Sequence, residues 1–255
     1  MALIALLTDF GTHDWYVASM KAVIHRINPG CRVTDISHDI TPQDISEGAF
    51  ILWNVYNYFP AKTIFVSVVD PGVGSARRII LLQTDRHLFL APDNGLLDYV
   101  LADTRHYKAY SVENPKLRLK YVSATFHGRD IFAPAAAYLS RGIRLKEFGP
   151  QVTLSKPDGI FIEADGKKES AGRIIYIDRF GNLVTNIRVR RPVKGRVQTG
   201  SFTIEKISET FSSVPVGVIA AYMNSSGLLE IGVRDGSAKE VTGAGRGGEV
   251  VFCGD

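Results

Sequence analysis

Apolar runs alternate with helix-spaced stretches through the first half of the chain and then give way to short β-type runs. LIALL at residues 3–7 and the Phe65, Val66, Val68, Val69 stretch are nearly continuous and apolar, the texture of strands covered on both faces. Between them Tyr16, Met20, Val23, Ile24 and Ile27 recur at the three-to-four spacing of an amphipathic helix, which Asn28-Pro29-Gly30 stops. Arg32 to Ile36 reads as a second strand, and Pro42 leads into a second helix from about Gln43 to Tyr58. Strand, helix, strand, helix, strand implies parallel pairing with right-handed crossovers. Arg78 to Thr84 and His87 to Ala91 follow as strands around Asp85-Arg86, and Pro92-Asp93-Asn94-Gly95 turns into a short helix ending near Ala102. After a loop-like Asn114 to Tyr121, IFAPAAAYLSRG is helical, with Pro134 in the first turn, where its missing donor costs little.

From Phe148-Gly149-Pro150 helical periodicity fades, and glycine and β-branched residues take over. Arg173 to Ile177, Leu183 to Val189, Ser201 to Ile207, Pro215 to Tyr222, Leu228 to Val233 and Glu249 to Phe252 read as short strands separated by turns. The expected fold is an α/β amino-terminal domain with a mainly parallel central sheet (1–155) and a smaller all-β, barrel-like carboxyl-terminal domain (165–255). The boundary is placed between about Gly149 and Ala171, a segment containing KPDG and EADGKKES.

Composition narrows the function. Of the 255 residues, 45% are hydrophobic, ample for a real core. The formal charge of +4 is spread along the chain except at Arg188 to Arg196 (RVRRPVKGR), read as a solvated strand and turn, so no nucleic-acid partner is expected. Cys31 and Cys253 lie at opposite ends without metal-ligand spacing, so neither a metal site nor a disulfide framework is expected. The apolar start is too short for a membrane span and lacks a signal peptide's basic opening, so a cytoplasmic protein without a membrane partner is expected.

The chemistry gathers at loops. Asp70 follows the apolar run at Phe65 to Val69 and precedes Pro71-Gly72-Val73-Gly74, so it lies at the carboxyl end of a parallel strand, where α/β sheets bind ligands. Arg77, seven residues on, can fold back onto that carboxylate; a purely structural Asp/Arg pair is the plainer alternative. Asp9 occupies another strand tip. His127, in Thr125-Phe126-His127-Gly128-Arg129-Asp130, precedes a helix; the alternative is a capping loop in which Asp130 caps and His127 is merely exposed. Asp178 to Asn186 is the densest polar run of the second half, where Asn182 and Asn186 can each read an amide edge or simply serve a β-turn, and Asn224 to Gly227 reads as an ordinary hairpin turn. GAGRGG at 243–248 precedes no helix and is set aside as a phosphate loop.

Together TDFGT at residues 8–12, VVDPGVGS with its paired arginines at 68–78, PDNG at 92–95, TFHGRD at 125–130 and DRFGN with TN at 178–186 resemble, in order, the S-adenosyl-L-methionine hydroxide adenosyltransferases, relatives of the fluorinating and chlorinating enzymes. The resemblance implies hydrolysis of S-adenosyl-L-methionine to adenosine and L-methionine, without a cofactor, in a homotrimer holding substrate between neighbouring subunits. It puts a catalytic triad on Asp70, Arg77 and His127. Substrate contacts fall on Asp9 (ribose hydroxyls), Phe126, Gly128, Asn182 (adenine), Asp178, Tyr222, Ser225, Glu230 and Val233. Halogenating relatives carry a tyrosine near Asp70 and a halide-binding serine at Gly128, so the pattern here is the hydrolytic one. Ser226 stands where they have an arginine for the methionine carboxylate. His127 either accepts the water's proton or fixes the water from the other side, and the residue types do not say which triad member is the base; a nearby arginine lowers a carboxylate's basicity, which favours proton transfer by His127 and positioning by Asp70. Two other readings stand beside this one: a chloride-using halogenase, and a non-catalytic sensor of S-adenosyl-L-methionine or adenosine.

Overall fold

The computed structural model describes residues 2–165, 168–189 and 194–254, and it divides into two compact units, 1–158 and 159–255. Part of the basic run at Arg188 to Arg196 and of EADGKKES, residues 190–193 and 166–167, lies outside the described residues.

The first unit contains β1 (Leu3–Thr8), α1 (Tyr16–Ile27), β2 (Arg32–Ser37), α2 (Ile45–Val55), β3 (Ile64–Val68), β4 (Ile79–Gln83), β5 (Leu88–Pro92), α3 (Asp98–Asp103), β6 (Lys108–Ser111), α4 (Ala133–Ser140) and β7 (Gln151–Val152). Its strands form one sheet in the order β2-β1-β3-β5-β4-β6-β7. β2, β1, β3 and β5 run parallel, and β4, β6 and β7 continue the sheet antiparallel. The sequence pattern explains the centre: every residue of β3 is buried, as a strand flanked on both edges and covered on both faces requires. Its Val66 and Val68 share a core with Ile4 and Leu6 of β1, Met20 and Ile24 of α1, and Phe132 and Ala136 beside or within α4. Each such large side chain contributes about 1.5–3 kcal/mol by leaving water. α2 begins two residues later than its periodicity implies. Gln43 has φ of 67°, outside helical space, and Asp44 takes the cap, accepting from Glu47 N at 2.9 Å.

The second unit contains β8 (Ile162–Ala164), β9 (Glu169–Ile177), β10 (Leu183–Val189), β11 (Gly195–Thr199), β12 (Phe202–Ile204), β13 (Ile207–Ser208), β14 (Ile219–Met223), β15 (Leu228–Val233), α5 (Ala238–Thr242) and β16 (Glu249–Gly254). The sheet runs β12-β11-β16-β9-β10-β15-β14-β13, with β8 beside β10. β11 approaches β13 and β12 approaches β14, so the sheet curls back on itself into a nearly closed barrel. Phe252, Ile187, Leu229 and Ile231 are among the residues that fill it. Two readings of the sequence change here. The expected Ser201 to Ile207 strand is two short ones, β12 and β13, and the Pro215 to Tyr222 strand starts only at Ile219, because Gly217 turns at φ of 78°. Among the described residues no helix is long and apolar enough to cross a membrane.

Candidate active site

β1 and β3 are parallel neighbours with Thr8 opposite Val68, so Asp9, one residue beyond β1, and Asp70, two residues beyond β3, leave the same end of the sheet. That end is where open α/β sheets place ligands. The Asp70 loop folds as two successive turns, Val73 N donating to Asp70 O and Ser75 N to Gly72 O. Gly74 has φ of 82°, and a Cβ there would lie 2.5 Å from Ala124 O. The glycine thus serves a close backbone approach that draws the Asp70 loop against the segment carrying His127. PDNG fastens the loop from behind: Asn94 Nδ2 donates to Val69 O at 2.9 Å, and Arg78 Nε donates to Asp93 Oδ2 at 2.8 Å.

Asp70, Arg77 and His127 come together. Arg77 forks the carboxylate, Nε donating to Oδ1 at 2.7 Å and Nη2 to Oδ2. The same Nη2 lies 3.0 Å from His127 Nδ1. The two side chains of the ion pair are 4% and 10% exposed, so water screens them little. A guanidinium has no acceptor, so Nδ1 must supply a lone pair, and the neutral ring then carries its proton on Nε2. Burial first, and the Arg77 charge second, hold the His127 pKa below the ordinary imidazole value.

His127 precedes a π-helical turn, Gly128–Phe132, that runs into α4. Such bulges are frequent at functional sites. Asp130 does not cap this helix. Fully buried, it accepts from Ser123 N at 2.8 Å and pairs with Arg129 Nε at 2.6 Å, tying the loop before His127 to the turn after it. Gly128 is closely packed: a Cβ would meet Phe10, Met20 and Phe126 at 3.1–3.2 Å. Phe10 and Phe126 themselves meet edge to face, ring centroids 5.8 Å apart. Phe126 and Gly128 therefore gather around one aromatic cluster with Phe10, and Asp9, which precedes Phe10 in the chain, has Oδ2 accepting from Gln43 N at 2.8 Å.

The remaining expected residues form a second group, in the second unit. Asp178, Asn182, Tyr222, Ser225, Glu230 and Val233 all line a cleft of about 810 Å³. Asp178 shapes its turn by accepting from Phe180 N and Asn182 N, each at 2.9 Å, and its other oxygen takes Asn182 Nδ2 at 2.8 Å. The turn-forming alternative is thus real, and it also fixes which way the Asn182 amide faces. Tyr222 and Glu230 pair across β14 and β15, and the phenol donates to Glu230 Oε1 at 2.7 Å while Asn224 Nδ2 donates to Oε2 at 2.9 Å. Burial and this carboxylate push the Tyr222 pKa up, keeping it a neutral donor.

Phe180, Phe211 and Asn224 also line the cleft, beyond the site residues expected from the sequence. Phe180 had a readable signal, an aromatic in the middle of a polar turn, and it is 68% exposed. Asn224 had none. Its Oδ1 accepts from Ser226 N and Leu228 N as an ordinary hairpin asparagine would, and only its Nδ2 turns to Glu230.

Comparison with known proteins places the chain in a family. Residues 4–149 match the SAM hydroxide adenosyltransferase N-terminal domain, and residues 172–251 match the corresponding C-terminal domain. The chain is similar to the (R)-S-adenosyl-L-methionine hydrolase of Thermus thermophilus, 39% identical and covering 97% of this chain and 98% of that protein. It is similar also to that of Salinispora tropica, 35% identical, covering 94% and 93%. A crystal structure of an uncharacterized conserved protein from Thermotoga maritima superposes with a TM-score of 0.89 at 34% identity, covering 98% of this chain and 99% of that one.

Proposed function

The chain belongs to the SAM hydroxide adenosyltransferase family, and from that membership we propose that it hydrolyses S-adenosyl-L-methionine to adenosine and L-methionine. Water or hydroxide attacks ribose C5′ in line with the bond to sulfur. The C5′–O bond forms as the C5′–S bond breaks, its electron pair leaves on the neutral thioether of methionine, and one proton of the water passes to solvent. Attack by an anion on a sulfonium merges opposite charges, a step that a dry site of low dielectric favours.

The observation that carries the reading is Arg77 shared between Asp70 and His127. It also supports a division of roles other than the one the residue types favour. With Nδ1 engaged by Arg77, His127 offers Nε2–H, a donor, and so steadies the attacking oxygen. Asp70 keeps lone pairs beyond the two that Arg77 uses and accepts a hydrogen bond from the attacking water, whose proton then passes to solvent. With both carboxylate oxygens engaged by Arg77, the site relies on orienting the water and on stabilising hydroxide more than on a strong base.

Asp9 receives the two ribose hydroxyls, a task that suits a carboxylate's paired oxygens, and the next residue, Phe10, packs on Phe126. Asn182, aimed by Asp178, reads the adenine edge, and Tyr222, Ser225, Glu230 and Val233 hold the far edge of adenine and the methionine end. Family resemblance supports a homotrimer with substrate between neighbouring subunits, a cytoplasmic location and no cofactor. The purified protein is tested by incubation with S-adenosyl-L-methionine and chloride, with products separated by chromatography. Adenosine and methionine in equal amounts support hydrolysis. 5′-Chloro-5′-deoxyadenosine would replace it with the halogenase reading, and binding without methionine release with the sensor reading.

A further inference from the structure

Behind Asp9 runs a line of buried polar side chains that neither the triad nor the second cleft uses. Thr8, the last residue of β1, is fully buried, and its Oγ1 accepts from Phe10 N at 3.2 Å. The same hydroxyl lies 2.8 Å from Nδ1 of His38, which is 4% exposed and sits just past β2, the parallel neighbour of β1. The Thr8 oxygen keeps a second lone pair after accepting from Phe10, so the other ring nitrogen decides: Nε2 faces the Asp35 carboxylate, which can only accept, so the ring proton is on Nε2 and Nδ1 accepts from the Thr8 hydroxyl. Nε2 is 3.0 Å from Asp35 Oδ1 but off the line of a good hydrogen bond, and Asp35 is itself held by Lys21 Nζ of α1 at 2.6 Å. The backbone repeats the grip: Gly11 N donates to His38 O at 2.7 Å.

A histidine that merely filled space would not be set against a buried hydroxyl, because each polar group costs free energy to desolvate unless the other satisfies it. Valine and leucine would fill the same volume without that requirement. What the pair adds is direction. Thr8 Oγ1 and the His38 carbonyl hold Phe10 N and Gly11 N, the two amides that follow Asp9. Phe10 in turn packs on Phe126 and closes over Gly128, next to His127.

We propose that His38 is a positioning residue for substrate binding: through Thr8 and through its own carbonyl it sets the course of residues 8–11, and so aims the Asp9 carboxylate at the ribose hydroxyls. The proposal rests on the hydrolase reading and on Asp9 as the ribose acceptor. It concerns binding rather than the displacement step, so it moves KM and leaves kcat.

The test measures KM and kcat for adenosine release in Thr8→Val, Thr8→Ser, His38→Ala, His38→Asn and Asp9→Asn, with urea unfolding of each. Thr8→Val and His38→Ala should raise KM about tenfold, the equivalent of one lost hydrogen bond, with kcat within about threefold of the unsubstituted protein. Asparagine places a carbonyl oxygen where Nδ1 lies, so His38→Asn should recover most of the lost KM, as Thr8→Ser should by keeping the hydroxyl. If His38→Ala does not fold, the Thr8→Val and Thr8→Ser pair decides, since it exchanges one hydroxyl for a methyl. KM unchanged in Thr8→Val while Asp9→Asn raises it overturns the proposal alone. So does a fall in kcat at constant KM, or no recovery in His38→Asn. KM unchanged in Asp9→Asn overturns the ribose role of Asp9 and this proposal with it. No adenosine from the unsubstituted protein overturns the hydrolase reading.

Discussion

Arg77→Lys separates the charge of Arg77 from its shape. Arginine reaches Asp70 through two nitrogens and His127 through one of the same two. Lysine keeps the positive charge but offers a single nitrogen on a flexible stem, so it cannot reproduce the planar fork. The substitution therefore removes one bond to the carboxylate and loosens the hold on His127 Nδ1. Charge-assisted hydrogen bonds contribute roughly 1.5–3 kcal/mol each. Taking about 3 kcal/mol as the loss in the transition state gives a fall in kcat of roughly 100-fold, since each 1.36 kcal/mol is a factor of ten. KM should stay within about threefold, because Arg77 touches the partners of the attacking water rather than the nucleoside. Adenosine release at saturating substrate, followed by chromatography, gives the number. Asp70→Asn provides the internal control: groups that act as one unit are non-additive, so the double variant should be no slower than the slower single one. Arg77→Ala would instead leave a carboxylate that is 4% exposed without its partner, a loss of roughly 3–5 kcal/mol in folding, and confuse stability with chemistry. An Arg77→Lys protein turning over within threefold of the unsubstituted one, or strictly additive losses in the double variant, would refute the claim that the fork organises the site.

His127 is held below the ordinary imidazole value, so kcat/KM should stay level as pH falls through 6.5 and drop only at lower pH; a drop centred at or above 6.5 that disappears in His127→Gln would contradict the Arg77 contact. His87 is 1% exposed, has no hydrogen-bond partner on either ring nitrogen, and lies among the rings of Tyr56, Phe65 and Phe89, so burial brings its pKa down to about 4. The unfolded chain therefore binds this proton more readily than the folded one. The stability tied to keeping the ring neutral is complete above about pH 6.5 and is lost as pH falls from there towards 4, amounting to about 2–3 kcal/mol. His87→Phe should remove that part of the acid sensitivity; urea midpoints at pH 7 and 4.5 measure it, and a stability difference from the unsubstituted protein that is the same at both pH values would refute the assignment.

What could be read in the chain, and what could not, divides along one physical line. Continuous apolar runs and three-to-four spacing report which faces are buried, and burial was enough to expect the parallel strands, α1 and the switch to a β-rich second unit. β6, β7 and β11 escaped because they are short or open on glycine, and their strand character comes from neighbours rather than from their own residues. The same line runs through the site. The loops of Asp70 and His127 announced themselves as glycine-punctuated polar turns at element ends. Which way the proton on His127 points is a property of no single loop, because it follows from the Arg77 nitrogen that reaches Nδ1 from another. A reading confined to residue types therefore makes the histidine the base, since that is what an isolated imidazole near neutral pH is suited to do. Once a guanidinium occupies its lone pair, the histidine has only a donor left, and that contact between loops is the ground for proposing that it donates while the carboxylate accepts.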